Sequence, residues 1–183
     1  MRTTPCPVLP ADHVLSFAEL TSARLDGELV AIGATFRFID QPDSRQARAA
    51  SLGLALHDSR AIISERTAAW VWGWAPACST VSTCVSIAAR LPSTARRLQG
   101  TREVVIGADE VAVIGDVRVT TPLRTVVDLA RLDDDDAVVD IISTALAAHD
   151  VSETSLRDAL ERITRVAHST RARRRVELAL SRC

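Results

Sequence analysis

The sequence predicts an α+β protein that consists of a truncated winged-helix-like N-terminal piece, a small mixed sheet with helices, and a helical C-terminal subdomain. One stretch, 117–132, has the pattern of a strand that continues directly into a capped helix. The segment 78–87 is rich in Val, Ser and Thr with period-two alternation, which is typical of a strand. The last third of the chain contains only amphipathic helical patterns.

The helix in 117–132 has a clear start. Thr121 is a favourable N-cap, and Pro122 fits the first helical position, where no amide hydrogen is needed. Arg124 and Asp128 are one turn apart, which predicts an ion pair. The apolar stripe consists of Leu123, Val126, Val127 and Ala130. We expect this helix to be buried on one side and solvated on the other.

A second short helix is expected to begin after Ser64 and to end near Gly73. It contains or adjoins all of the tryptophans, which are Trp70, Trp72 and Trp74. Aromatic side chains on an apolar helix are usually core residues, although they can also line a pocket or a base-stacking platform. We expect this helix to pack against the one that follows Thr121.

The N-terminal region predicts a helix followed by a hairpin. Ser16 and Glu19 have the spacing of a capping box, and Gly27 can end the helix that they begin. Residues 28–32 and 35–39 then predict two strands joined by a tight turn.

A helix followed by a hairpin is the second half of a winged helix. The segment before Leu15 is too short for the two helices that normally come first, so the module is truncated. We therefore divide the chain into a lead-in with a partial winged helix, 1–42, and an α/β domain that ends in a helical subdomain, 43–183.

The remaining elements follow from the same patterns. Further strands are expected at 61–63, 78–87, 103–106, 110–114 and 117–119, with a loop at 91–100. Further helices are expected at 45–56, after the aspartates 133–136, after Ser152 and from 169 or 170. The core face of strand 78–87 carries either Val81 and Val85 or, with a register shift of one residue, Cys78 and Cys84.

Composition limits the possible partners. Of the 183 residues 47% are apolar, which suffices for a buried core, and the formal net charge is −1. A near-zero charge gives no general attraction to nucleic acid or to an anionic membrane, so such a partner needs a local patch of charge.

Residues 1–11 lack the apolar run of a signal peptide, and no later stretch could span a bilayer. We expect a cytoplasmic protein that binds no membrane.

Enzyme motifs are missing from the chain. Lysine is absent, which excludes a Walker A lysine, a Schiff base and an ordinary restriction-type nuclease site. The four histidines lack metal-ligand spacing, and the four cysteines lack C-x-x-C spacing and are expected to be free thiols. The four consecutive aspartates 133–136 could bind a divalent metal, but carboxylates are favoured at a helix start anyway. We expect no catalysis, no metal and no cofactor.

Two short blocks carry a family resemblance. The first is Ser64-x-x-Thr67-Ala68-Ala69-x-x-x-Gly73, and the second begins at Val119 and reads Val-Thr-Thr-Pro-x-Arg-Thr-x-x-Asp-Leu-Ala. Together they resemble the actinobacterial AbiEi-type antitoxin family of type IV toxin–antitoxin systems, from about Leu15 to the C-terminus. The resemblance implies an antitoxin-like regulator that counters a nucleotidyltransferase toxin and represses its own promoter.

The resemblance also implies a DNA-reading role for the first helix and a wing role for the hairpin. Ser22, Arg24 and Arg37 are polar, can donate to phosphates or base edges, and are the expected DNA-binding residues. Many longer relatives continue into a Vsr-like endonuclease domain, and this chain is expected to be the short form. The alternative is a stand-alone protein-interaction domain without DNA binding, left after loss of that nuclease.

The charge of the C-terminal half is strongly uneven. Residues 128–150 carry seven Asp against one Arg, whereas residues 157–183 carry eight Arg against three acidic residues. We expect a basic run to contact an acidic partner or the RNA-binding site of a toxin, a solvated face being the alternative. This run consists of Arg162, Arg165, Arg171, Arg173, Arg174 and Arg175.

Overall fold

The computed structural model describes residues 8–11, 15–56, 58–89, 101–163 and 167–182. Within these ranges it contains seven α-helices and seven β-strands, so the chain is an α+β protein as predicted. The helices are α1 (Phe17–Leu25), α2 (Arg45–Gly53), α3 (Glu65–Trp72), α4 (Pro122–Leu132), α5 (Val138–Ala147), α6 (Glu153–Arg162) and α7 (Ser169–Leu180). The strands are β1 (Leu29–Ile32), β2 (Thr35–Phe38), β3 (Ile62–Ile63), β4 (Thr83–Ser86), β5 (Arg102–Val104), β6 (Val111–Ile114) and β7 (Val117–Thr120).

The chain forms two compact units. One contains Met1–Ser59 with Val113–Val117, and the other contains Arg60–Ala112 with Arg118–Cys183. We call them the N-terminal unit and the C-terminal unit. No helix in the described part of the chain is long and apolar enough to cross a membrane.

The N-terminal unit contains the predicted helix and hairpin. The capping box is formed, because the Ser16 amide donates to Glu19 Oε2 at 2.8 Å and the Glu19 amide donates to Ser16 Oγ at 3.3 Å. β1 and β2 pair antiparallel, and the Leu9 amide donates to the Phe36 carbonyl at 2.6 Å, which adds the lead-in to the edge of β2. A small core of Leu20, Leu29 and Phe36 joins α1 to the hairpin.

A five-stranded mixed sheet lies in the second half of the chain, in the order β5-β4-β3-β7-β6. β3 pairs antiparallel with β4 and parallel with β7, and β4 pairs parallel with β5. The strand expected at 78–87 is confined to Thr83–Ser86, and neither proposed register describes it. Cys84 and Val85 are both buried, because β4 lies inside the sheet and is covered on both faces.

Helix α4 begins at Pro122, as predicted, with the Arg124 amide donating to Thr121 Oγ1 at 3.4 Å. The expectation of a half-solvated helix is wrong: every residue from Thr125 to Ala130 is buried, including Asp128. The reason is that α3, α5, α6 and α7 all pack against α4. The predicted ion pair is formed inside this core, with Arg124 Nε 2.8 Å from Asp128 Oδ2.

Helix α3 packs against α4, as predicted, and the three tryptophans are buried. Trp72 Nε1 donates to the Thr120 carbonyl at 3.0 Å, and Trp74 Nε1 donates to Asp150 Oδ2 at 2.9 Å. Ser64 occupies the N-cap position without making a cap hydrogen bond, while Gly73 ends the helix with a φ of 96°.

Cys78 and Cys84 are free thiols. Outside the described residues lie Cys6, Cys183, His13, His57, Arg165 and the loop expected at 91–100.

Candidate partner-binding surface

The acidic connector, Asp133–Asp136, joins α4 to α5 and is bound by arginines from two other helices. Arg66 of α3 contacts Asp133 from both Nε and Nη2, at 2.5 and 2.9 Å. The same Nη2 donates to Asp135 Oδ2 at 3.0 Å. A guanidinium that holds one carboxylate with two nitrogens has a well-defined orientation, so Arg66 fixes the connector against α3.

Two arginines of α7 bind the end of α4 and the same connector. Arg171 donates to the Arg131 carbonyl from Nε at 3.1 Å, and its Nη1 lies 3.3 Å from Asp134 Oδ1. Arg175 donates to the Asp133 carbonyl at 2.6 Å and to Asp136 Oδ1 from Nη2 at 3.0 Å. Cations at the carbonyl end of a helix are stabilising, so these two residues cap α4 and attach α7 to it.

The hydrogen bonds of the connector change its acidity. Burial alone raises the pKa of Asp133, but hydrogen bonds from Arg66 and from the Asp135 amide outweigh it and leave that pKa below its ordinary value. The pKa of Asp135 is lowered by the Ala137 amide and by Arg66. Both carboxylates are therefore ionised near neutral pH, as their arginine partners require.

The expected role of these aspartates at a helix start is met only in part, because Asp135 Oδ1 accepts from the Ala137 amide at 2.9 Å but none of them is the N-cap residue. The N-cap of α5 is Ala137, which makes no side-chain cap, and the aspartates precede it in the connector. Their carboxylates bind arginines because helices α3 and α7 both reach this loop. Among the described residues, no three His, Cys, Asp or Glu side chains are placed to bind a metal together.

The structure divides the predicted basic run into two groups. Arg175 is only 2% exposed and is an internal structural residue, so it does not belong to a contact surface. Arg171 is half-buried and bound to α4. Arg173 and Arg174 are exposed, and neither makes a hydrogen bond or ion pair with the described residues. We call this pair the α7 basic face.

Arg162 of α6 is exposed, but it lies in a mixed environment. Its Nε donates to the Asp158 carbonyl at 3.3 Å, and it lines a shallow depression together with Asp158 and Glu161. On the same helix, Arg157 pairs with Glu153 at 2.8 Å and with Glu177 at 3.0 Å. The freely available positive charge of the described C-terminal helices is therefore concentrated on the α7 basic face.

The pairing of α7 with the connector was not predicted, although the sequence contains a signal for it. Seven aspartates in one segment and eight arginines in the next nearly cancel. Such neutralisation between neighbouring segments indicates that the segments can pair with each other as well as with a partner. Spacing alone does not identify which arginine faces inward, because that depends on the direction in which α7 crosses α4.

The predicted DNA-binding residues do not form a common surface. Ser22 and Arg24 are exposed on α1, but two residues along a helix correspond to a turn of about 200°, so they point in different directions. Arg37 of β2 is half-buried, and its Nη1 donates to the carbonyls of Phe38, at 3.2 Å, and Gln41. Only Arg24 among the three is both cationic and free of partners within the described residues.

Two ion-pair groups in the C-terminal unit contain polar residues from the sequence blocks that begin at Ser64 and at Val119. Arg102 Nη2 lies 2.5 Å from Glu65 Oε1, and Arg124 bridges Asp128 and Glu110. Burial raises the pKa of the Cys84 thiol to about 11, and Asp128 adds to this effect. A thiol with such a pKa stays protonated near neutral pH and is a poor nucleophile. This cluster therefore organises the fold and has no activated nucleophile at Cys84.

The comparisons with known proteins agree with the two sequence blocks. The family model of the AbiEi antitoxin C-terminal domain matches residues 53–178, so the chain belongs to this family. This membership supports an antitoxin role in a toxin–antitoxin system. No curated protein matches the chain.

A solved structure, that of the RV2827C protein from Mycobacterium tuberculosis, is similar to this chain with a TM-score of 0.50 and 15% sequence identity. The similarity covers 88% of this chain and 64% of that one, so the chain spans less than two thirds of its length. At this identity the likeness concerns the fold alone.

Proposed function

We propose that this protein neutralises a toxin of the nucleotidyltransferase class by direct contact in the cytoplasm, and that the α7 basic face is part of the contact surface. The observation that carries the proposal is the division of the arginines on α7. Arg171 and Arg175 are bound within the fold, whereas Arg173 and Arg174 stand exposed with no partner among the described residues. Guanidinium groups suit carboxylate and phosphate surfaces, so an acidic or RNA-bearing face of a toxin complements this pair.

A role without catalysis agrees with the chemistry of the interior. The absence of lysine removes several classes of active site, and the buried thiol of Cys84 is not activated. Binding alone is sufficient for an antitoxin that acts on a toxin protein. Arg162 extends the proposed surface onto α6, where the neighbouring carboxylates weaken its contribution.

Co-expression with the cognate toxin tests the proposal. Both proteins are expressed from constitutive promoters, so that any repressor activity does not affect the result. The double variant Arg173→Glu with Arg174→Glu is expected to lose rescue from the toxin, because complementary charge across an interface becomes repulsive. The control, Arg45→Glu with Arg60→Glu, makes the same change in net charge at two exposed arginines outside α7 and is expected to rescue like wild type. Full rescue by the folded Arg173/Arg174 variant contradicts the assignment of the surface.

Promoter repression is a second candidate function, favoured by the arrangement of α1 and the hairpin. The lead-in residue Leu9 bridges to Phe36 and adds a third segment to the two-stranded hairpin. Of the three residues expected to contact DNA, Arg24 is the strongest candidate, because Ser22 points in another direction and Arg37 is bound to backbone carbonyls. A mobility-shift titration against the chain's own promoter, repeated at increasing salt, tests this function, and affinity should fall steeply with salt. Absence of binding at low salt supports the interaction domain without DNA binding.

A further inference from the structure

The N-terminal unit exposes large apolar side chains on α1 and at the end of β2. Phe17 and Leu25 are 63% and 78% exposed, and Phe38 and Ile39 are 48% and 61% exposed. Contiguous apolar surface on a soluble protein usually marks an interaction site. We call these four residues the apolar strip.

Contacts near both ends of α1 link this helix to β2 and so bring the four residues into one part of the N-terminal unit. Phe17 and Leu25 are eight residues apart on α1, so their directions differ by about 80° and both fall within one broad side of the helix. The Phe17 ring lies 6.1 Å from that of Phe36, which is two residues before Phe38 and on the same side of β2. Near the other end, the Ile39 amide donates to the Glu28 carbonyl at 3.0 Å, three residues after Leu25.

Charges of both signs border the apolar strip. Arg24 is seven residues after Phe17 and therefore lies on the same face of α1 as that ring, and Asp26 and Glu28 are two and four residues further along the chain. All three are exposed, and their side chains make no hydrogen bond or ion pair with other described residues. In a homodimer with twofold symmetry the same surface of both copies is in contact, and a residue of one copy meets a different residue of the other. A surface that carries a cation beside two anions can therefore pair with a second copy of itself.

We infer that the apolar strip is the contact surface of a symmetric homodimer, in which α1 and the hairpin of one copy face those of a second copy. Arg24 of each copy then meets Asp26 and Glu28 of the other. The exposed area of the four side chains is on the order of 450 Å² per copy, or about 900 Å² for two copies before the polar rim is included, which is the size of a weak interface. A second copy also explains the charge pattern better than DNA does, because DNA would place phosphates against the strip and against the two acidic residues.

Sedimentation equilibrium of the full chain tests this inference. Wild type is expected to form a dimer with a dissociation constant on the order of 10 µM, as suits an interface of this size. Leu25→Asp and Phe38→Asp, each tested alone, are expected to weaken association at least tenfold, because each places a charge in the contact. The control, Val105→Asp, changes an apolar residue that is equally exposed but lies outside the strip, and it should associate like wild type. Circular dichroism checks that each variant remains folded.

A charge exchange tests the twofold arrangement itself. Arg24→Glu should weaken the dimer, and adding Glu28→Arg to it should restore association, because the two reversed charges again meet across the axis. A wild type that stays monomeric at about 200 µM overturns the inference. The apolar strip would then bind a segment of the chain itself or another protein. Dimers that persist in Leu25→Asp and Phe38→Asp, or a charge exchange without recovery, overturn it as well.

Discussion

The guanidinium of Arg175 lies inside the C-terminal unit and donates from Nη2 to Asp136 Oδ1 at 3.0 Å, although 39 residues separate the two in the chain. The same side chain donates to the Asp133 carbonyl at 2.6 Å. It therefore joins α7 to the connector that follows α4. Arg175→Ala should reduce the free energy of unfolding by about 3 kcal/mol, because it removes these bonds and leaves buried carbonyls without a donor.

Arg174→Ala provides the matched control for this change. It removes an arginine from the same helix turn, but the side chain is exposed and has no partner among the described residues. Its expected effect is within about 0.5 kcal/mol. Urea denaturation of both variants makes the comparison, and equal losses would contradict the structural role of Arg175.

Acid sensitivity should depend on the contact between Arg66 and Asp133. The pKa values of Asp133 and Asp135 are lower in the folded state than in the unfolded chain. Their stabilisation is therefore present above the unfolded pKa, near 3.9, and is lost as the pH falls through the lower folded values. Asp133→Asn should be less stable than wild type at pH 7, and this difference should shrink as the pH decreases below about 4.

Urea midpoints measured across this pH range test the prediction. Asp116→Asn, in the exposed turn between β6 and β7, is the control for removing a carboxylate and should not reproduce the loss of stability at pH 7. A stability difference between Asp133→Asn and wild type that does not change with pH would show that the aspartate acts through packing alone.

Trp72 combines packing with one directed hydrogen bond. Its ring is buried, and Nε1 donates to the Thr120 carbonyl at 3.0 Å. That carbonyl also accepts from the Thr125 hydroxyl at 3.1 Å, so it keeps a partner when the indole is removed. Trp72→Phe should therefore cost about 1 to 2 kcal/mol, and Trp72→Ala about 3 to 5. Equal losses in the two variants, measured by urea denaturation, would contradict a packing role for the ring.

Local signals in the sequence were sufficient to place most elements. Ser16 with Glu19, Thr121 with Pro122, and Gly73 act within a single turn, so their effects do not depend on distant residues. The helix expected after the aspartates 133–136 is also present as α5, and its apolar residues Val138, Ile141, Ile142, Ala145 and Leu146 are buried. Caps and periodicity are properties of neighbours in the chain, which a sequence displays directly.

The burial of polar residues could not be predicted in the same way. Asp128 and Arg175 are buried because distant helices cover them and provide compensating charges or carbonyl groups. An arginine on the outer face of a helix has the same local pattern as one that faces a neighbouring helix end. This is why the basic run of α7 was expected to be one surface, whereas the structure uses part of it internally.

His149 occupies a backbone position that favours glycine. Its φ is 58°, it follows the C-cap Ala148 of α5, and its amide donates to the Leu146 carbonyl at 2.9 Å. The next amide, that of Asp150, donates to the Ala145 carbonyl at 3.3 Å, which completes a Schellman-type helix end. In the left-handed region a side chain clashes with the backbone, and glycine avoids this clash. His149→Gly should therefore raise the free energy of unfolding by about 1 kcal/mol, even though the Nδ1 contact to Leu146 is lost.

His149→Ala separates the backbone effect from the loss of the imidazole. Alanine also removes the ring but keeps Cβ, so the conformational strain remains and no stabilisation is expected. Thermal unfolding of wild type and both variants at the same pH gives the comparison. If His149→Ala stabilises the protein as much as His149→Gly, the gain comes from removing the ring, and the left-handed helix end is not the source of strain.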